Sequence, residues 1–142
     1  IGIAYAVASA GAILAMSKAT GELGDIIIRG AIVDPLGGIL RWLHHQEAVI
    51  GFTDQLWNGI TTLYWAKLAW ASAEGIIDRH LIIPTSPGVT GAELLRATAE
   101  VYGWPVRITD GESGSPRDRR QVGNHQAPHI REQLEELRAW RS

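Results

Sequence analysis

Residues 47–74 read EAVIGFTDQLWNGITTLYWAKLAWASAE, and the period assigned to their apolar positions decides the fold class. Val49, Phe52, Leu56, Ile60, Leu63, Lys67 and Trp70 recur at steps of three and four, a stripe that only Lys67 interrupts, as along one amphipathic helix. The opposite side carries Asp54, Asn58 and Thr61. On that reading Leu63→Ala opens a hole in the core, whereas Asn58→Ala does little. Asp54 and Lys67 leave no uncharged run near twenty residues, so the pattern speaks for an amphipathic helix rather than a lipid-surrounded span.

Outward from this stretch, the chain opens on an uncharged run, Ile1 to Ser17 (IGIAYAVASAGAILAMS), whose apolar surface needs a cover of lipid, of other subunits or of its own domain. Gly2, Ala6 and Ala10 fall four apart, as do Ala4, Ala8 and Ala12, which suits close helix packing. A strand would alternate Ile1, Ile3, Tyr5 and Val7 with small residues. Helix is preferred, because GAILAM continues without alternation. Such a helix reaches roughly 25 Å, short of a hydrocarbon core of about 30 Å. The first residue is Ile rather than Met, so the expectation is that something was removed or that a longer chain exists. No basic region precedes the apolar run, which speaks against a secretory signal.

The 142 residues, 46% hydrophobic and 20% charged, suit one domain with or without an appendage. A net charge of -2 gives no electrostatic case for nucleic acid. With no cysteine, disulfides, thiolate metal sites and thiol catalysis are excluded. Lys18 and Lys67 are the only lysines.

Pro84-Thr85-Ser86-Pro87-Gly88 divides the chain into an apolar, Trp-rich region, 1–84, and a polar region, 85–142. In the first, Asp34-Pro35 forms an N-cap and N1 pair ahead of LGGILRWLHH. In the second, Thr90 and Glu93 form a capping box for a helix that Gly103 ends. Pro105 to Thr109 reads as one short strand, residues 110–127 as an exposed loop, and Pro128 as the start of a helix burying Ile130, Leu134, Leu137 and Trp140 or Arg141. The expected fold is therefore mainly α: an apolar N-terminal segment, amphipathic helices, a small polar C-terminal helical region and one short strand.

Several constellations could carry chemistry. Gly111-Glu-Ser-Gly-Ser-Pro116 resembles the nucleophile loop of chymotrypsin-like serine proteases, and the resemblance implies a nucleophile at Ser113 with oxyanion donors on the Gly111 to Ser113 backbone. Arg117-Asp-Arg-Arg120 stands where that family has an apolar strand. His125 and His129 are spaced as metal ligands on one helix, but Pro128 places His125 outside it, which favours solvated loop histidines. Arg117, Arg119 and Arg120 could meet phosphates, although Asp110, Glu112 and Asp118 offset them. His44-His45 reads as a polar helix terminus rather than a pH-sensitive cap.

The function expected from these patterns is a non-enzymatic structural or assembly component, a virion or tail protein of a bacteriophage being one form. Its N-terminal half would be buried in a bilayer or a multi-subunit particle, with Ile1, Ile3, Tyr5, Val7, Trp57, Trp65 and Trp70 as the partner or membrane contacts. The partners would be other subunits or lipid in an oligomeric, membrane-associated assembly, with no cofactor and no metal. A hydrolase using Ser113 or His125 and His129, and a membrane-anchored subunit of a larger complex, are the alternatives.

Overall fold

The computed structural model describes residues 27–28, 32–33, 38–77 and 81–141. Its elements run β1 (Ile27–Ile28), β2 (Ile32–Val33), α1 (Gly38–His44), β3 (Ala48–Phe52), β4 (Gln55–Trp57), β5 (Ile60–Thr61), α2 (Thr62–Ala73), β6 (Leu81–Ile82), β7 (Pro84–Thr85), β8 (Val89–Thr90), α3 (Gly91–Tyr102), β9 (Arg107–Gly111), β10 (Arg117–Asp118), β11 (His125–Gln126) and α4 (Ile130–Arg141). The expectations for 1–17, with Ile1, Ile3, Tyr5 and Val7, and for the Asp34-Pro35 helix start lie outside the described residues.

The mainly α reading is overturned, for the fold is mixed α/β. Residues 47–74 form β3, β4 and β5 followed by α2, not one helix. In β3, Val49 and Gly51 point inward while Ala48, Ile50 and Phe52 point out, the two-residue period of a strand. A Cβ at Gly51 would stand 2.7 Å from the Ala92 Cα, so β3 lies directly on the backbone of α3. The stripe assigned to a single helix face is thus an accident of two periods in series. Val49, Ile60 and Leu63 are buried, but on three different elements, and Trp70 is 50% exposed instead of buried.

Pairing explains why the strands were hidden. Among the described residues β1 pairs with β6, β2 with β5, β3 with β9, β4 with β10 and β7 with β11, all in parallel, and β4 with β8 is antiparallel. The longest ladder joins Ala48 to Arg107 through Phe52 to Gly111. Parallel partners need a crossover, so each strand finds its mate far along the chain and leaves no hairpin signal. The strand expected at 105–109 is β9, shifted to Arg107–Gly111. The stretch read as the loop 110–127 is exposed over much of its length and contains β10 and β11, which pair with β4 and β7.

Helix boundaries follow local chemistry more closely. Thr61 Oγ1 accepts a hydrogen bond from the Tyr64 N–H at 3.2 Å and starts α2. The Thr90 and Glu93 capping box starts α3, and Gly103, at φ 68°, ends it in the left-handed region. One face of α3, Leu94, Ala97 and Val101, packs with Leu40, Leu63, Val89, Ile130, Leu134 and Leu137. Its other face, Leu95 and Ala99, packs with Leu43 and Val49. Residues from both sides of Pro84 therefore share one core around α3. Gln133, 1% exposed, ties α4 to this core by accepting from the Thr61 N–H at 3.0 Å and donating to the Pro128 carbonyl at 2.8 Å.

Candidate functional site

After β9 the chain turns at Gly114, with φ 75°, and Asp54, in the bend between β3 and β4, holds the turn. Its carboxylate accepts from the Ser113 N–H at 3.0 Å and from the Ser113 hydroxyl at 2.8 Å. Gln55 Nε2 donates to Ser113 Oγ and to the Ser115 carbonyl, both at 2.9 Å. Ser113 Oγ also accepts from the Ser115 N–H at 3.1 Å. Partial desolvation pushes the Asp54 carboxyl up, but the bonds from Ser113 outweigh it and hold the group below its ordinary value. These partners are a carboxylate, an amide and a backbone N–H, with no imidazole to take the proton. The geometry makes Ser113 the anchor of a turn.

The anchored turn delivers a cationic strand. Arg117 N–H donates to the Asp54 carbonyl at 3.0 Å and Arg119 N–H to the Leu56 carbonyl at 2.9 Å, laying 117–119 along β4. Asp118 and Arg120 pair through two bonds, Nε at 2.9 Å and Nη2 at 2.7 Å, which hold the Asp118 carboxyl down at about 2. Alternation along the strand sets Arg117 and Arg119 on the other face. Neither has an ion-pair partner among the described residues.

Asn58 joins this strand to a second feature. Its Nδ2 donates to the Gln121 carbonyl and its Oδ1 accepts from the Gln121 N–H, both at 2.9 Å. Its own carbonyl accepts from the Ser86 N–H at 3.0 Å, and Ser86 Oγ donates to the Gly59 carbonyl at 2.8 Å. Ser86 also lines a cleft of about 470 Å³, together with Thr85, Pro87, Gly123, Asn124, His125 and Gln126. Behind it, Tyr64 on α2 and His125 Nε2 are hydrogen-bonded at 2.8 Å, and burial pushes the Tyr64 phenol up.

The other residues singled out by sequence lie apart. His129 Nδ1 accepts from the Arg131 N–H at 3.1 Å at the start of α4, whereas His125 lies in β11 against Tyr64. Among the described residues no group of three or more His, Asp or Glu could hold a metal. His44 stacks on Trp104 with ring centroids 4.6 Å apart, so the end of α1 is packed as well as polar. Trp57 is half-buried against the core, Trp65 is half-buried on α2, and Trp70 is exposed. Sequence reasoning gave no site role to Asp54, Asn58, Thr85 or Gln126. The adjacent Asn58-Gly59, a turn dipeptide, was the available sign that the supposed helix breaks there.

No protein-family model and no curated protein matches the chain. Solved structures do match it, among them two reductases. A dTDP-4-dehydrorhamnose reductase from Bacillus anthracis, in complex with NADP, superposes with a TM-score of 0.62 at 10% identity over 76% of this chain and 45% of its own. A dTDP-4-dehydrorhamnose reductase ortholog from Clostridium acetobutylicum gives 0.64 at 12% identity over 82% of this chain and 49% of its own. The chain thus spans less than half the length of either reductase. Among the described residues no helix is long and apolar enough to cross a membrane. The expectation of a non-enzymatic, membrane-embedded or virion component, with its hydrolase and membrane-anchor alternatives, is corrected on these findings. What the likeness establishes is the fold, one shared with α/β reductases.

Proposed function

We propose that this chain forms a sugar-nucleotide-binding part of a reductase-type enzyme, gripping the diphosphate of its ligand with Arg117 and Arg119. The observation that carries the reading is this pair of arginines, unneutralised at alternate positions of the 117–119 segment along β4, while Asp118 and Arg120 satisfy each other. Guanidinium groups match phosphate oxygens with paired donors, and two of them at strand spacing suit a linked pair of phosphates. The fold adds support, because both structural neighbours are named for a dTDP-sugar substrate.

The NADP of one neighbour does not fit the described residues of this chain. The sequence has no Gly-x-Gly-x-x-Gly run to cradle a pyrophosphate. At the N-terminus of α3, Glu93 occupies the place an anion would take, and at α2 Thr61 caps the first turn. The proposal therefore concerns the substrate and not the dinucleotide.

Calorimetric titration of the chain with dTDP and with thymidine tests it. dTDP is expected to bind and thymidine to bind far more weakly, and Arg117→Ala with Arg119→Ala should weaken dTDP by about tenfold or more. Equal affinity of wild type and double variant, or no dTDP binding at all, would overturn the reading.

A further inference from the structure

The lining of the cleft between Thr85 and Gln126 divides into groups already engaged and groups still available. Ser86 Oγ is spent on the Gly59 carbonyl. Asn124 accepts from the Ile83 N–H with Oδ1 and donates to the Leu81 carbonyl with Nδ2, both at 2.8 Å. His125 Nε2 is taken by Tyr64. By contrast, neither the Thr85 hydroxyl nor the Gln126 side-chain amide has a hydrogen-bond partner among the described residues. The two are not scattered. Thr85 and Gln126 are register partners in the β7–β11 ladder, so their side chains stand side by side on one face, while Pro84 and His125 take the other.

We propose that this cleft seats a neutral, polyhydroxylated ring, with the Thr85 hydroxyl and the Gln126 amide as the groups that select it. The wall contains no Asp, Glu, Lys or Arg, and Arg120, over Gly88 next to the cleft, already has its guanidinium on Asp118. An anion therefore finds no Lys or Arg in the wall. An apolar ligand would strip water from the hydroxyl and the amide without replacing it, at a cost that a ring of hydroxyl groups avoids. The space of about 470 Å³ lies within the range of small-molecule sites, about 300–1,000 Å³. Gly123 keeps it open, since a Cβ there would stand 2.6 Å from Thr85 Cγ2 and 2.7 Å from Thr85 Oγ1 and displace that hydroxyl.

This deepens the diphosphate reading and rests on it only for which nucleotide carries the ring. The test compares dTDP, dTDP-glucose and free glucose on wild type, Thr85→Val and Gln126→Met, with the thermal midpoint of each variant confirming its fold. Both replacements keep size and remove hydrogen bonding, and the two stand in for each other if one fails to fold. Wild type should bind dTDP-glucose more tightly than dTDP, and each variant should lose that advantage by about tenfold with dTDP itself unchanged. Equal binding of dTDP and dTDP-glucose by wild type overturns the cleft while leaving the arginine site intact. If neither nucleotide binds, saturation-transfer NMR with free glucose decides alone. A signal lost in Thr85→Val supports the cleft, and no signal in wild type, or one unaffected by either variant, overturns it.

Discussion

Asn58 commits both ends of its side-chain amide to one peptide unit, the N–H and carbonyl of Gln121, while its own carbonyl takes the Ser86 N–H. It is 9% exposed, and removing the amide would deprive the backbone groups of Gln121 of both partners in a part-buried setting. Asn58→Ala is therefore expected to destabilise by about 2 kcal/mol, measured by urea denaturation, and to loosen both the cleft and the Arg117–Arg120 segment. The neighbouring clasp depends on pH. The Asp54 and Asp118 carboxyls both lie below their ordinary 3.8, Asp118 at about 2, because bonds from Ser113 and Arg120 favour the charged form. A depressed folded-state value means that their contribution is complete above about pH 4 and lost as pH falls through the folded value. Carboxyl carbon NMR should show Asp118 titrating near 2, with the Ser113 amide resonance moving as Asp54 protonates below 3.8.

Among the elements, α3 is the most completely determined from both ends. Its capping box satisfies N–H groups at the start, and Gly103 adopts a left-handed conformation that a side chain would strain. Thr90→Ala should cost about 1 kcal/mol, read as a lowered unfolding midpoint. The approach of β3 to the same helix is tighter than any cap. With 2.7 Å between a Cβ at residue 51 and the Ala92 backbone, Gly51→Ala must push strand and helix apart, costing about 1–3 kcal/mol in the same assay. Hydrogen exchange should localise that disturbance to the β3–β9 ladder.

At the scale of the whole molecule, α3 stands between two clusters of buried side chains, one of which joins Leu40 and Leu63 to Leu134 and Leu137. Leu134 is fully buried, and Leu134→Ala should destabilise by about 2–5 kcal/mol. Because that core spans both sides of the Pro84–Pro87 turn, fluorescence of the Trp residues and far-UV circular dichroism should report one coincident transition.

Taken alone, the sequence determined what local chemistry determines. The capping box at Thr90 and Glu93, the stop at Gly103, and the helix after Pro128 with Ile130, Leu134 and Leu137 inward were all legible, because each depends on residues within a turn or two. Tertiary structure decided whether 47–74 was helix or strand. Short strands are stabilised by partners such as Arg107 to Gly111 and Arg117-Asp118, about sixty positions away, and no local period records such a pairing. The candidate site belongs to the same class. Arg117 and Arg119 were visible as charges, but that Arg120 alone satisfies Asp118, that Asn58 ties their strand to Ser86, and that Thr85 stands beside Gln126 are facts of register, which exists only once distant strands have met.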